Sequence, residues 1–258
     1  MDLPRLPLGT PNLPSPEPRV PSPDEKTLLE LRYALMTNQI AHERAADVVR
    51  AVEDAGIVAV IRIKDPSRLR AVVDAIAEGG IRALEVTMTV PGAVELIREL
   101  GPTLPAGFIL GAGTVLDAET VARVADAGAR YVVSPVFRRS VIEACHARDL
   151  AAMPGCFTPT EILNAWDAGA DIVKVFPATT LGPSYLKDVR APLPQVKLMP
   201  TGGVTVENAG DWIRAGAVAV GVGTSLLDAK AIDDGRFDVL RTNAERMIAN
   251  VRAARGQA

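Results

Sequence analysis

The stretch Gly169-Ala-Asp-Ile-Val-Lys-Val175 decides how the rest of the chain is read. It opens on a glycine, the usual residue just past a helix C-terminus because it accepts a left-handed backbone. It then runs at once into a short β-rich segment. The same order recurs at Gly80-Ile-Arg-Ala-Leu-Glu-Val86, Gly128-Ala-Arg-Tyr-Val-Val-Ser134 and Gly216-Ala-Val-Ala-Val-Gly-Val222. Outward from these, β-rich runs are predicted at 57–63, 83–87, 108–111, 131–134, 151–153, 172–176, 196–200 and 218–222. Amphipathic helical spacing fills the gaps, for example at 67–78, 93–100, 118–127, 139–148, 159–168 and 206–215. Strands alternating with helices in this way predict an α/β protein, a (β/α)8 TIM barrel. An open doubly wound sheet is the alternative, but it usually brings a Gly-rich loop after its first strand. The segment Arg62-Ile63-Lys64-Asp65-Pro66 offers none.

The chain of 258 residues suits one such barrel, which typically needs roughly 250. Residues 1–25 hold eight of the 20 prolines and read as a solvated, polyproline-like tail. From Lys26 to about Asp54 apolar residues recur at helix spacing, so the barrel domain, 26–258, begins with an N-terminal helical extension. Net charge is −3 and the basic residues are scattered, which points away from nucleic acid and membrane surfaces. Only Cys145, Cys156, His42 and His146 are present, too few for a zinc site or a disulfide framework. No metal and no cofactor are expected. Two scattered thiols, no signal-peptide pattern and no apolar run near the ~20 residues of a membrane span suit a cytoplasmic protein.

Lys174 interrupts Ile172-Val-Lys-Val-Phe176, a run typical of a strand buried on both faces. Burial depresses a lysine's pKa and frees its amine to attack a carbonyl. Taken alone it could equally be a lysine snorkelling out at a strand end. Glu85 is just as anomalous in Ala83-Leu-Glu-Val-Thr87. Counted along the chain, the glycine repeat falls on strands two, four, six and eight. Glu85 and Lys174 then share one step of strands two and six and face the same way. A carboxylate so placed can hold the amine charged at rest and serve as general acid/base; the plain alternative is a structural ion pair.

The predicted seventh strand closes on Pro200-Thr201-Gly202-Gly203-Val204, and the eighth on Gly221-Val-Gly223-Thr224-Ser225, which is expected to open a helix. Barrels often bind phosphate with these two loops, where glycines let backbone amides approach the anion. Gly111-Ala-Gly-Thr114, Ser134-Pro135 and Pro154-Gly155 close other strands and should line the pocket. Thr114 could bond a substrate carboxylate, and Arg62, at the end of the first strand, could pair with an acidic group. A surface role for Arg62 is the alternative. His42, His146, Trp166 and Trp212 fall in helical segments and read as peripheral.

With these motifs the sequence closely resembles the bacterial 2-dehydro-3-deoxy-phosphogluconate aldolase family, which includes 4-hydroxy-2-oxoglutarate aldolases. The resemblance rests on Leu84-Glu-Val-Thr-Met-Thr89, Gly111-Ala-Gly-Thr-Val115, Val133-Ser-Pro135, Met153-Pro-Gly155, Thr158-Pro-Thr-Glu161, Val173-Lys-Val-Phe-Pro177, Pro200-Thr-Gly-Gly-Val204 and Val220-Gly-Val-Gly223. They stand in order over about residues 40–228. It implies that Lys174 forms a carbinolamine and then a Schiff base with a pyruvyl ketone, while Glu85 shuttles protons. It implies pyruvate contacts near Thr114, Pro135 and Phe176, and phosphate contacts from Thr201, Gly202 and Gly203 and the loop with Gly223 and Thr224. It further implies a homotrimer acting on a small phosphorylated keto-acid. Some members carry an arginine where this chain has Thr89, so a carboxylate role would pass to Arg62.

The expected reaction is reversible cleavage of 2-dehydro-3-deoxy-6-phosphogluconate to pyruvate and glyceraldehyde 3-phosphate. The galactonate epimer and 4-hydroxy-2-oxoglutarate are alternative substrates. Two rivals are a barrel isomerase or synthase using Glu85 without a covalent lysine, and a non-catalytic trimeric scaffold.

Overall fold

The repeated glycines are where helices turn into strands: Gly80, Gly128, Gly169 and Gly216 have φ of 98°, 102°, 96° and 100° in the computed structural model, which describes residues 45–257. At each, the next N–H reaches back to a carbonyl in the last helical turn: Ile81 to Ile76, Ala129 to Val124, Ala170 to Ala165 and Ala217 to Trp212, all at 3.0 Å. This closure satisfies carbonyls that a helix end leaves unpaired and aims the chain into the following strand. A fifth copy has no glycine. Leu150 bonds to Cys145 at 3.0 Å across Asp149, which takes φ 58°.

A helix over residues 45–55, α1, leads into β1 (Ile57–Ile61), α2 (Leu69–Glu78), β2 (Ala83–Thr87), α3 (Ala93–Leu100) and β3 (Ile109–Gly113). There follow α4 (Ala118–Asp126), β4 (Tyr131–Val133), α5 (Arg139–His146), β5 (Ala151–Met153), β6 (Gly155–Cys156) and α6 (Pro159–Asp167). The last elements are β7 (Val173–Val175), α7 (Gly182–Arg190), β8 (Leu198–Pro200), α8 (Ala209–Arg214), β9 (Val220–Val222), α9 (Ala229–Asp233) and α10 (Phe237–Ala254). The strands are parallel and form curled sheets in the orders β5-β4-β3-β2-β1-β9 and β6-β7-β8. Between the two sheets, Thr201 bridges Gly221, and the Val218 N–H donates to the Leu198 carbonyl at 3.0 Å.

Side-chain alternation along the strands sorts the core into two clusters. Ile57, Ala59, Ile61, Leu84, Val86, Val173 and Val175 point toward the helices. Val58, Ala83, Ile109, Tyr131, Ala151, Ile172, Met199 and Ala219 point to the inner face, where Val48, Val49 and Val52 of α1 pack against them. Arg255 ties α1 in place by donating to the carbonyls of Glu53, Asp54 and Val218.

Several boundaries differ from expectation. The first strand stops at Ile61 rather than 63, because the Thr87 hydroxyl takes the Ile61 carbonyl at 3.1 Å and Asp65 then caps a 3-10 turn, Pro66–Arg68. Pro154, with no N–H to give, separates β5 from β6. The helix expected from 206 starts at Ala209, since Thr205 and Asn208 first close a turn through their side chains. Thr224 and Ser225 do not open a helix: Leu226 and Leu227 both bond back to the Gly223 carbonyl in a turn, and α9 begins only at Ala229. The proline-rich tail, the extension before residue 45 and His42 lie outside the described residues.

Candidate active site

Glu85 follows Ala83 by one inner-face step, and Lys174 follows Ile172 in the same way, so both charged side chains lie on the inner face just above its apolar cluster. Their relative exposures are 1% and 6%. A snorkelling lysine would reach solvent; this one does not. Its Nζ sits 4.8 Å from the centroid of the Phe176 ring, within cation–π range. Glu85 lies in register with Val60 on one side and Gly111 on the other. Its carboxylate leans over Gly113, where an added Cβ would fall 2.5 Å from Oε1. Any larger residue there would force the carboxylate to shift.

Burial dominates the ionisation of both groups. It pushes the Glu85 carboxyl up, against the opposing pull of Lys174 and then Arg62. It pushes the Lys174 amine down, which Glu85 resists and Arg62 reinforces. Each is therefore moved toward neutrality by desolvation and partly restored by the other. Such a pair can exchange a proton with a bound molecule at modest cost.

Above the pair opens a cavity of ≈ 340 Å³. Lys174 lines it together with Arg62, Thr114, Pro135, Phe176, Thr201, Gly202, Gly203, Gly223 and Thr224, so the strand-end residues singled out from sequence gather in one place. Glu85 sits beneath the wall rather than in it. Arg62 is exposed at the mouth, yet its charge reaches both buried groups. Thr89 turns away from that role, because its hydroxyl pairs with that of Thr87 at 2.7 Å. Thr87 spends its one hydroxyl proton on the Ile61 carbonyl, which leaves Thr89 as the donor between them.

The two glycine loops differ in how they are held. Gly202 and Gly203 take φ of 89° and 74°, and a Cβ on Gly203 would lie 2.7 Å from the Thr179 Cα. Asn208 pins this loop, donating from Nδ2 to the Gly203 carbonyl at 2.9 Å while its Oδ1 accepts from Thr205 N–H. In the other loop Ser225 is occupied, its Oγ accepting from Val206 N–H at 3.0 Å, while Thr224 lines the cavity. Thr114 has φ 62°, an outlier for a β-branched residue. Such strain persists only where the surroundings enforce it, and it clusters at functional sites.

Lys64, Asp65, Ile232 and Asp233 also line the cavity and were not expected. They come from the loop after β1 and from α9, where no apolar run made a charge look out of place. Asn208 was missed as well, since it looks like any turn residue. His146 lies away from the cavity, its Nε2 paired with Asp171 at 3.1 Å, and Trp212 packs in the core. Among the described residues no three His, Cys, Asp or Glu side chains group as metal ligands would, and no helix is long and apolar enough to cross a membrane.

A buried amine and carboxylate under a glycine-rich, cationic mouth are parts suited to making and breaking bonds beside a carbonyl. Comparison with known proteins agrees. The family model for KDPG and KHG aldolase matches residues 48–242. A probable 2-dehydro-3-deoxy-6-phosphogalactonate aldolase of Rhizobium meliloti is 39% identical over 171 residues, 66% of this chain and 81% of that one. The 2-dehydro-3-deoxy-phosphogluconate aldolase of Pseudomonas aeruginosa is 32% identical over 194 residues, 75% of this chain and 88% of that one. A solved KDPG aldolase from Legionella pneumophila, with pyruvate captured at low pH as a covalent carbinolamine, superposes with a TM-score of 0.72 at 28% identity, covering 78% of this chain and 97% of that one. The protein is thus a lyase of the aldolase type on a curled parallel α/β fold. The chain belongs to the KDPG and KHG aldolase family.

Proposed function

We propose that the two sheets close into one (β/α)8 barrel and that its cavity cleaves a 6-phosphorylated 2-keto-3-deoxy sugar acid through a Schiff base on Lys174. Closure is supported by the Thr201–Gly221 bridge and by β5 and β6 lying on either side of the single residue Pro154. The observation that carries the chemistry is the shared burial of Lys174 and Glu85 on one inner face, directly beneath the cavity.

In this reading the neutral Lys174 amine adds to the C2 ketone, giving a carbinolamine whose hydroxyl takes the proton of protonated Glu85 and leaves as water, which yields the iminium and the Glu85 carboxylate. Glu85 accepts the proton of the C4 hydroxyl. The C3–C4 bond breaks, the aldehyde leaves, and the electron pair moves into the iminium to give an enamine. Glu85 then returns the proton to C3, and hydrolysis of the iminium frees pyruvate and the amine and restores the proton of Glu85. Arg62 and the strained Thr114 turn face the substrate carboxylate. The Gly202-Gly203 loop, Gly223 and Thr224 face the phosphate. The lowered pKa of Lys174 favours the free amine that the first step needs.

The substrate we favour is 2-dehydro-3-deoxy-6-phosphogluconate, yielding pyruvate and glyceraldehyde 3-phosphate. The galactonate epimer is the second reading, favoured by the name of the 39% identical relative. Borohydride reduction with pyruvate should leave a mass adduct on Lys174; an unmodified lysine would overturn the mechanism. Comparing kcat/KM for both epimers and for unphosphorylated 4-hydroxy-2-oxoglutarate then ranks the substrates. Equal rates without the phosphate would overturn the reading of the glycine loops.

A homotrimer is part of the same proposal. Leu116, Val136 and Phe157, exposed in the loops after β3, β4 and β6, support a face made for assembly, and light scattering would measure it. The free thiols of Cys145 and Cys156 support a cytoplasmic setting.

A further inference from the structure

Tyr131 is the one aromatic side chain of the inner cluster, at 0% exposure. It stands on β4, in register with Gly111 of β3, which is itself in register with Glu85 of β2. Gly111 has no side chain, and the Tyr131 ring fills that space: its Cε2 and Cζ crowd the position that a Cβ would take. From the opposite side, the Glu85 carboxylate fills the space over Gly113. The phenol end and the carboxylate therefore lean over the same strand from its two neighbours. The glycines over which they lean are one inner-face step apart on β3.

The Tyr131 hydroxyl is fully buried and has no hydrogen-bond partner among the described residues. Buried tyrosine hydroxyls ordinarily find one. No direct bond joins the two, yet the Glu85 charge is near enough to act on the phenol, which leaves a place for a water with polar partners on both sides. We propose that the Tyr131 hydroxyl donates through a single buried water to the Glu85 carboxylate, making Tyr131 a positioning residue for the proton-transfer group. The proposal rests on the reading of Glu85 as acid/base. Burial, reinforced by the Glu85 charge, pushes the phenol well above its ordinary pKa, so it stays protonated and keeps a proton to donate toward the carboxylate. An ordinary core tyrosine would have no such effect on Glu85.

Tyr131→Phe separates the two, since it removes the hydroxyl and keeps the ring over Gly111. A donor stabilises the ionised carboxylate, so its loss should raise the Glu85 pKa by about one unit, read by 13C NMR titration of that carboxyl. The acid limb of kcat/KM should move the same way, and kcat should fall several-fold with KM nearly unchanged. An unshifted Glu85 carboxyl would overturn the inference, as would a shifted carboxyl with an unchanged rate profile. Glu85→Gln is measured alongside. If that variant is fully active, the catalytic reading of Glu85 fails instead, and the carboxyl titration of Tyr131→Phe still decides whether the bridge exists.

Discussion

The lower and upper levels of the inner face are built by the same strands, two residues apart, and they do different work. Ala83, Ile172, Met199 and Ala219 form the lower level, apolar and packed against α1. One step up stand Glu85, Lys174, Thr201 and Gly221, of which the first two are buried ionisable side chains and the last three line the cavity. Under the proposed reaction, a single alternation of the backbone separates packing from chemistry. The lower level supplies the apolar burial that holds two costly charges out of water.

The sharpest way to break this contrast is to replace one residue at each level. Lys174→Met should lower turnover on the order of 10⁴-fold or more and abolish the borohydride adduct, with the fold intact by circular dichroism. Ile172→Ala, one step below, should do the reverse. It should cost about 2–5 kcal/mol of stability, read as a Tm lowered by about 5–15 °C, while kcat of the folded enzyme changes little. A large kcat loss in Ile172→Ala would show that the levels are not separable.

Two smaller effects sharpen the picture. Gly113→Ala drives a methyl into the Glu85 carboxylate. Displacing it by about 1 Å should lower kcat on the order of 10²-fold; unchanged kinetics would mean that the carboxylate need not lie there. Replacing both charges, Glu85→Gln with Lys174→Met, should stabilise the protein by about 1–4 kcal/mol. The pH dependence follows from the two shifts. Glu85 has a raised pKa, so its burial costs stability as pH rises from its ordinary value through the raised one. Lys174 has a lowered pKa, so its burial costs stability as pH falls from its ordinary value through the lowered one. Both penalties are present near neutral pH, where the double variant should gain most, with the gain shrinking toward either extreme. Denaturant melts across pH would test this, and a double variant less stable at pH 7 would contradict it.

The sequence showed what stands out against its surroundings. A lysine and a glutamate inside apolar runs were visible, and so were glycines at the repeated helix ends, because each breaks a local rule for a physical reason. Where the same job is done by a residue that breaks no rule, the signal vanished. Asp149 closes its helix as the four glycines do, yet it reads as an ordinary loop residue, so the fifth copy of the repeat went unseen. Tyr131 looks like any β-strand aromatic until its hydroxyl is seen to lack a partner among the described residues. Asn208 and Asp233 reach the site through a turn and a late helix that no periodicity announced. Helix and strand interiors were legible from pattern; their ends were set by competing side-chain bonds, such as those of Thr87 and Asn208.

Val48, Val49 and Val52 floor the inner face at its lower end. Under the proposed reaction that floor blocks the way down, and whatever is bound at Lys174 must leave toward the strand ends. The fragment held on Lys174 would then lie deepest and the phosphate-bearing fragment nearest the strand ends, so the aldehyde would depart before pyruvate could follow. Pyruvate would then compete with the incoming sugar acid for the empty enzyme. Glyceraldehyde 3-phosphate would instead meet an enzyme already occupied by the pyruvyl group.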